Sequence, residues 1–155
     1  MSETRRVMGI DHGEVRIGVA LSDPLGMFAR PHVIMSVGDA EEAYVSLARI
    51  AREEGVVKIV VGLPTDAQGR VGHQAQRAVR WAEGLARQVS LPIVFWDESY
   101  SSADASRVMQ RAGQRRRRGE PVDDVAAAAI LQDYLDAGGS EREPGQPLED
   151  LADQA

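Results

Sequence analysis

The sequence predicts an α/β domain with a mixed sheet, because segments with strand and helix patterns follow one another in a defined order. Two strand-like segments lie near the N-terminus, Val7–Ile10 and Val15–Leu21. Two later ones, Val56–Gly62 and Leu91–Trp96, are almost continuously apolar, as expected of central strands covered on both faces. The order β-β-β-α-β-α-β-α-α predicts five strands, an antiparallel three-strand meander plus two parallel strands, with helices on both faces of the sheet.

The first two strands are predicted to form a hairpin, since only a short polar link separates them. Apolar residues occupy every second position from 15 to 21, which is the period of a strand with one buried face. Gly13 lies in the link, where we expect a tight turn with a positive φ. Asp11 then ends the first strand. A third strand is predicted over Ala29–Val37, with Pro31 near its start, as an edge strand allows.

Two amphipathic helices are predicted between the later strands. The first runs from about Asp39 to Glu54. Asp39 is a plausible N-cap, Glu42 stands at the capping-box spacing, and Gly55 ends the helix. The second and clearest helical pattern is His73–Val89, whose alanine, valine and leucine residues fall on one face.

The C-terminal part of the chain predicts two more helices and a tail. A short helix starts at Ser101 and is followed by a flexible basic loop, Gly113–Pro121, and by a helix over Asp123–Asp136. We expect the folded domain to comprise residues 1–139. Residues 140–155 hold two prolines and five acids against one arginine, and we expect them to be a disordered tail.

Composition limits the class of protein. The chain has 155 residues, of which 43% are apolar, which suits one domain with a sizeable core. No apolar run is long enough to cross a membrane, and no secretory signal is visible. The absence of cysteine excludes disulfides and thiolate metal sites. We therefore expect a cytoplasmic protein without membrane partners.

The net charge of −6 at first argues against a nucleic-acid partner, but the charge is unevenly distributed. Residues 140–155 contribute −4 of it, so that the remainder is close to neutral. Within that remainder Arg115, Arg116, Arg117 and Arg118 form an unbroken basic run. An acidic cluster beside basic loops is compatible with metal-assisted chemistry on phosphates.

Acidic residues follow three of the predicted elements. Asp11 ends the first strand, Asp97 and Glu98 end the fifth, and Asp123 opens the last helix. In open α/β sheets ligands gather at the carboxyl ends of strands. Carboxylates brought together there repel one another unless a cation lies between them. Oxygen ligands without cysteine or clustered histidine favour Mg²⁺ or Mn²⁺, which can ready a water for attack on a phosphodiester.

Each of these residues also has a purely structural interpretation. Asp11 could bond its own turn, Asp123 could be an N-cap, and Glu98 could be a solvated strand end. The arginine run could be a solvated loop. The three histidines are too scattered for a metal cluster, so we assign none of them a ligand role. Only the joint arrangement of the acids favours a functional site.

Four motifs in a defined order add to this interpretation. They are D-x-G-x-x-R-I-G-V-A-x-S-D at 11–23, V-G-L-P at 61–64, D-E-x-x-S-S-x-x-A at 97–105 and V-D-x-x-A-A-x-x-I-L at 122–131. Through them the chain resembles, over roughly residues 6–137, the YqgF (RuvX) family of RNase H-like nucleases. These bacterial proteins are linked to pre-16S rRNA maturation and have been proposed as Holliday junction resolvases.

The resemblance implies an RNase H-like fold in which Asp11, Glu98 and Asp123 are the metal-binding catalytic residues, with Mg²⁺ or Mn²⁺ as cofactor. It implies a nuclease for structured nucleic acid, either processing the 5′ end of pre-16S rRNA or, as the alternative, resolving branched DNA. A non-catalytic nucleic-acid-binding module is a third possibility. An actin-like ATPase, which needs two such domains, fits less well. The protein is expected to be a monomer or a homodimer.

The chain departs from the family pattern at Ser99, which replaces an arginine after the Asp-Glu pair. This removes a cation near the carboxylates, so phosphate contact is expected from other residues. The fourth acid found in many RNase H-like sites is also missing, since Ala126 holds its place. The residues expected to bind substrate are Arg16, Thr65, Arg70, Ser101, Ser102, Arg115, Arg116, Arg117 and Arg118.

Overall fold

A six-stranded mixed sheet organises the described part of the chain. The computed structural model describes residues 4–64, 72–98, 103–115 and 119–152. The strands are β1 Arg6–His12, β2 Arg16–Ser22, β3 Ala29–Ser36, β4 Val56–Leu63, β5 Ile93–Asp97 and β6 Gln146–Pro147. The helices are α1 Ala40–Glu53, α2 His73–Ala86, α3 Ala103–Arg115, α4 Asp123–Asp136, α5 Gly139–Arg142 and α6 Leu148–Ala152. None of these described helices has the length and apolar character needed to cross a membrane.

The strand order is β3-β2-β1-β4-β5-β6. Strands β1, β2 and β3 form the predicted antiparallel meander, and β4 and β5 extend it in parallel from β1. The α/β class and the mixed sheet are therefore confirmed. The predicted number of five strands was wrong, because β6 pairs antiparallel with β5 through two residues. So short a segment, ending in proline, has no periodicity by which a sequence pattern could reveal it.

Residues 139–152 differ from the expected disordered tail. They form α5, β6 and α6, and Leu151 is buried in the main core. Glu143 ion-pairs with Lys58 and accepts a hydrogen bond of 2.6 Å from the hydroxyl of Tyr134. Composition alone did not reveal this packing, because a few apolar contacts and one partly buried ion pair hold a segment that is otherwise acidic.

Helices cover both faces of the sheet, as predicted. One core cluster joins α1 and α2 to the sheet through residues such as Leu47 and Leu85, and the other joins α4 to the opposite face through Ile130 and Leu131. The helix α4 lies directly on β1 and β2. A Cβ added at Gly18 would lie 1.8 Å from the carbonyl oxygen of Asp123, so this approach requires glycine.

The element ends agree with the sequence in some places and differ in others. Asp39 is the N-cap of α1, as predicted, and its Oδ1 accepts a hydrogen bond of 3.2 Å from the amide of Glu42. The second predicted helix ends at Ala86 rather than Val89. Residues 113–115, assigned to the basic loop, belong to α3 instead. A glycine within a helical pattern is tolerated when the turn continues, so Gly113 did not end this helix.

Candidate active site

Asp11 lies near the end of β1, in the middle of the sheet. It pairs with Gly18 across the hairpin, and β4 flanks β1 on the other side. The hairpin closes with a hydrogen bond of 2.9 Å from the amide of Gly13 to the carbonyl of Arg16. The expected positive φ at Gly13 was wrong. Glycine is required there by close approach, since a Cβ would lie 2.7 Å from that carbonyl oxygen.

Glu98 reaches the same region from β5. It follows the strand directly, and its amide donates to the carbonyl of Leu63 at 3.4 Å. Its side chain passes over Gly62 of β4, where an added Cβ would lie 2.7 Å from Glu98 Oε1. Since β4 separates β5 from β1, the missing side chain at Gly62 is what lets the glutamate approach Asp11.

The carboxyl groups of Asp11 and Glu98 are hydrogen-bonded to each other. Burial, the negative charge of Asp11 and this hydrogen bond, together with the charge of Asp97, raise the pKa of Glu98 to about 8. Burial also raises the pKa of Asp11, against the lowering effect of the hydrogen bond from Glu98. Two half-buried carboxyl groups in contact do not both ionise readily, so the pair holds one proton near neutral pH.

Asp123 is the first residue of α4 and stands beside this pair. Its Oδ2 accepts a hydrogen bond of 2.9 Å from Arg16 Nε. Its negative charge contributes to the raised pKa of Asp11. The N-cap of α4 is Val122, without a side-chain cap. The alternative that Asp123 serves as a helix cap is therefore wrong, and its carboxylate belongs to the hairpin side of the site.

The donor groups fit a hard divalent cation. Among residues 4–64, 72–98, 103–115 and 119–152, no three acidic or histidine side chains already stand in a metal-binding arrangement, and the carboxylate of Asp123 is turned toward Arg16. The paired oxygens of Asp11 and Glu98 are nevertheless of the type that Mg²⁺ and Mn²⁺ prefer. Asp11 and Glu98 would hold such a cation in place of the shared proton, and its positive charge would offset the charge of Asp11 that helps to raise the pKa of Glu98.

A cleft of about 240 Å³ opens over the carboxyl pair. Its described lining combines the β1–β2 hairpin, the end of β4, the first turns of α2 and Glu98. The lining residues are Asp11, His12, Gly13, Glu14, Pro64, Gln74, Arg77 and Glu98. Of these, only Asp11 and Glu98 were expected at the site from the sequence, and the polar side chains of His12, Glu14, Gln74 and Arg77 were not. No spacing along the chain links a hairpin turn to the exposed face of a helix sixty residues later.

His12 has a structural role in this lining. Its ring stacks on Trp81 of α2 with centroids 4.8 Å apart. Burial, helped by the charge of Arg77, lowers the pKa of His12 to about 4, so the ring is neutral near pH 7. The expectation that His12 is not a metal ligand is compatible with this packing. The stack joins α2 to the hairpin and so fixes one wall of the cleft.

The remaining acids and the expected substrate-binding residues lie elsewhere or are not described. Asp97 is exposed at the end of β5, and Asp124 is buried, with its Oδ1 accepting from the amide of Val125 at 3.0 Å. Arg115 ends α3. Seven of the residues expected to bind substrate lie outside the described part of the chain: Thr65, Arg70, Ser101, Ser102, Arg116, Arg117 and Arg118.

Comparison with known proteins points to one family. The family model described as "RuvX: Holliday junction resolvase" matches residues 5–137. A protein of Syntrophomonas wolfei named "Putative pre-16S rRNA nuclease" is 42% identical over 134 residues, covering 86% of this chain and 95% of its own. A protein of the same name from Symbiobacterium thermophilum is 43% identical over 133 residues, covering 85% and 92%.

Two solved structures resemble the fold. Thermus thermophilus RuvC, solved in complex with a Holliday junction substrate, superposes with a TM-score of 0.63 at 14% identity, over 92% of this chain and 99% of its own. The Fowlpox virus resolvase, also solved with Holliday junction DNA, gives 0.51 at 10% identity, over 85% and 97%. At such identities the likeness concerns the fold alone, and it confirms the predicted RNase H-like architecture.

Proposed function

Since the chain belongs to the RuvX family, as the sequence predicted, we propose that it is a divalent-metal-dependent endonuclease for structured nucleic acid. The observation that carries this proposal is the hydrogen-bonded pair of Asp11 and Glu98 at the carboxyl end of the sheet, with Asp123 beside it. Carboxyl groups that are partly withdrawn from water are seldom placed in contact without a cation or a proton to separate their charges. A nuclease that binds a divalent cation needs carboxyl groups placed in this way.

The chain's own residues supply the geometry of this site. Asp11, Glu98 and Asp123 would hold Mg²⁺ or Mn²⁺. When bound, the cation supplies a Lewis acid that readies water for attack on the phosphodiester and balances the charge of the leaving oxygen. The strands β1 and β5 hold Asp11 and Glu98 on a rigid sheet, and Arg16 orients Asp123 on the hairpin side. Gly62 and Gly18 keep the approach of these elements close.

We infer that the substrate is RNA, with cleavage at the 5′ end of pre-16S rRNA. The names of the relatives at 42% and 43% identity support this choice. Such a reaction would take place in the cytoplasm. Resolution of four-way DNA junctions is the second candidate, supported by the description of the family model. It requires paired cuts and so favours a symmetric homodimer, whereas RNA processing is compatible with a monomer.

Cleavage by the wild type and by Asp11→Asn tests the proposal. Precursor 16S rRNA fragments and four-way DNA junctions are incubated with Mg²⁺, Mn²⁺ or EDTA, and products are followed on gels. We expect wild-type cleavage with either cation and a loss of about 100-fold or more in Asp11→Asn, the scale on which one electrostatic contact to a transition state is felt. Glu53→Gln, an exposed charge neutralisation on α1, is the matched control.

The outcomes separate the candidates. Equal cleavage by wild type and Asp11→Asn would remove Asp11 from the mechanism. Binding of both substrates without cleavage under any cation would favour the non-catalytic module. A preference for RNA over junction DNA, or the reverse, distinguishes the two nuclease reactions, and the molecular mass in solution gives a second reading of the same question.

A further inference from the structure

A positively charged side chain of α2 faces the candidate active site. Arg77 lines the same cleft as Asp11 and Glu98. Among the described residues that line this cleft, Arg77 is the only one with a permanent positive charge, whereas Asp11, Glu14 and Glu98 are acids. A polyanionic substrate is repelled by such a lining unless cations offset it. The position of Arg77 therefore affects the charge that a polyanionic substrate meets in this cleft.

Arg16, the other arginine of the site, has a partner of its own. Its Nε donates to Asp123 at 2.9 Å, with about half of the side chain exposed. The ion pair of Arg77 is weaker. Its guanidinium lies 3.9 Å from Glu14 Oε1, with exposed fractions of 56% and 66% for the two side chains. Exposed pairs at this distance contribute little stability, so Arg77 can exchange its partner at small cost.

The carboxylate of Glu14 occupies the place beside Arg77 where an anion of the substrate could bind. Besides the contact with Arg77, its Oε1 accepts a long hydrogen bond of 3.4 Å from Gln74 Nε2. Gln74 and Arg77 are three residues apart on α2, so both project from the same face of the helix. Two donors from a rigid helix converging on one carboxylate oxygen form an arrangement that also suits a phosphate oxygen.

We propose that Arg77 binds a phosphate of the nucleic acid next to the one being cleaved, with Gln74 as a second donor, and that this phosphate displaces Glu14. Arg77 then sets the register of the substrate over Asp11 and Glu98. The planar guanidinium suits this role, because it offers paired donors that match phosphate oxygens. The neighbouring buried residues Ala78 and Val79 anchor α2 in the molecule and keep the arginine in place. The proposal rests on the nuclease function above.

Binding and cleavage by Arg77→Ala, Arg77→Lys and Arg80→Ala test this assignment. Arg80 is exposed on the same helix and does not line the cleft, so it is the matched control. A labelled four-way DNA junction and a precursor 16S rRNA fragment are titrated with full-length protein in Ca²⁺ at several salt concentrations. We expect Arg77→Ala to weaken binding about tenfold, and to reduce the slope of log affinity against log salt by about 1.

The conservative variant and the kinetics exclude a merely structural effect. Arg77→Lys keeps the charge but not the paired donors, so it should recover part of the affinity. The loss in Arg77→Ala should appear mainly in KM rather than kcat. Glu14→Gln should tighten binding several-fold in the wild type. Since the displaced anion acts through Arg77, that gain should largely vanish in the Arg77→Ala background. Arg80→Ala should match the wild type throughout.

Two results would overturn the assignment. One is an affinity and salt slope of Arg77→Ala equal to those of Arg80→Ala. The other is a Glu14→Gln gain of the same size with and without Arg77. If Arg77→Ala fails to fold, as judged by its melting temperature, Arg77→Gln, which also removes the charge but keeps much of the side chain, takes its place in both comparisons. Failure of the nuclease proposal would look different, since the wild type itself would then not cleave either probe in Mg²⁺ or Mn²⁺.

Discussion

Replacing Glu98 by glutamine should stabilise the metal-free protein at alkaline pH. The pKa of Glu98 is raised from 4.5 to about 8, first by burial and then by the charge of Asp11. Because the folded-state pKa lies above the unfolded value, the folded protein binds the extra proton between these two pH values. Its free energy of unfolding therefore falls as the pH rises through that window. Glutamine resembles the protonated carboxyl group and does not ionise.

The size of the effect follows from the same pKa. At about 1.4 kcal/mol per pKa unit, ionisation of Glu98 lowers the free energy of unfolding by a ceiling of roughly 5 kcal/mol above pH 8. The real loss is smaller where water or a local shift of the side chain relieves the repulsion. Even about 2 kcal/mol would move the urea midpoint by roughly 1 M for a protein of this size.

The measurement is urea unfolding in EDTA at pH 5, 7 and 9 for the wild type, Glu98→Gln and the exposed control Glu53→Gln. We expect similar midpoints at pH 5 and a growing advantage of Glu98→Gln at pH 7 and 9. Adding Mg²⁺ or Mn²⁺ should restore the wild type at pH 9, since an ion that binds only the folded state stabilises it. The same cations should raise the free energy of unfolding of Glu98→Gln much less.

Two results would refute this reasoning. Parallel pH dependence of wild type and Glu98→Gln would mean that Glu98 does not carry the shared proton. A variant less stable than the wild type at every pH would mean that the glutamate contributes more through packing and hydrogen bonds than it costs through its charge. Glu53→Gln should follow the wild type, so that a general effect of removing one acid is separated from the local one.

Two further predictions concern packing, one beside the site and one in the C-terminal segment. Gly18→Ala should destabilise the protein by about 3 kcal/mol and lower cleavage, because the added Cβ would collide with the backbone of Asp123 and push α4 off the hairpin. Thermal unfolding measures the loss, and Gly72→Ser is the control, since nothing lies within 4 Å of a Cβ at Gly72. Leu151→Ala should lower the free energy of unfolding by about 2 kcal/mol in urea, because Leu151 is buried in the core; an unchanged midpoint would mean that the C-terminal segment does not pack.

The sequence was sufficient for much of the fold because its signals are local. The continuous apolar run of β4 and the cap at Asp39 each depend on neighbours a few residues away. The period-two pattern located β2 but implied one buried face, whereas residues 17–22 are buried on both faces because α4 covers the face of Ala20. The acids at strand ends could be predicted to gather at one edge, because parallel strands place their carboxyl ends together. Where the pattern was too short or too acidic, as in β6 and the segment up to Leu151, local signals failed.

The sequence by itself determined the family through its motifs and the class of fold through its periodicity, and the family resemblance implied the three acids of the candidate site. Only the tertiary structure decided how the acids relate: Glu98 reaches Asp11 across Gly62, and Asp123 turns to Arg16. It also placed Arg77 in the cleft. The physical reason is that hydrogen bonds, burial and charge depend on distances in space, and residues remote along the chain acquire those distances only when the sheet and helices pack.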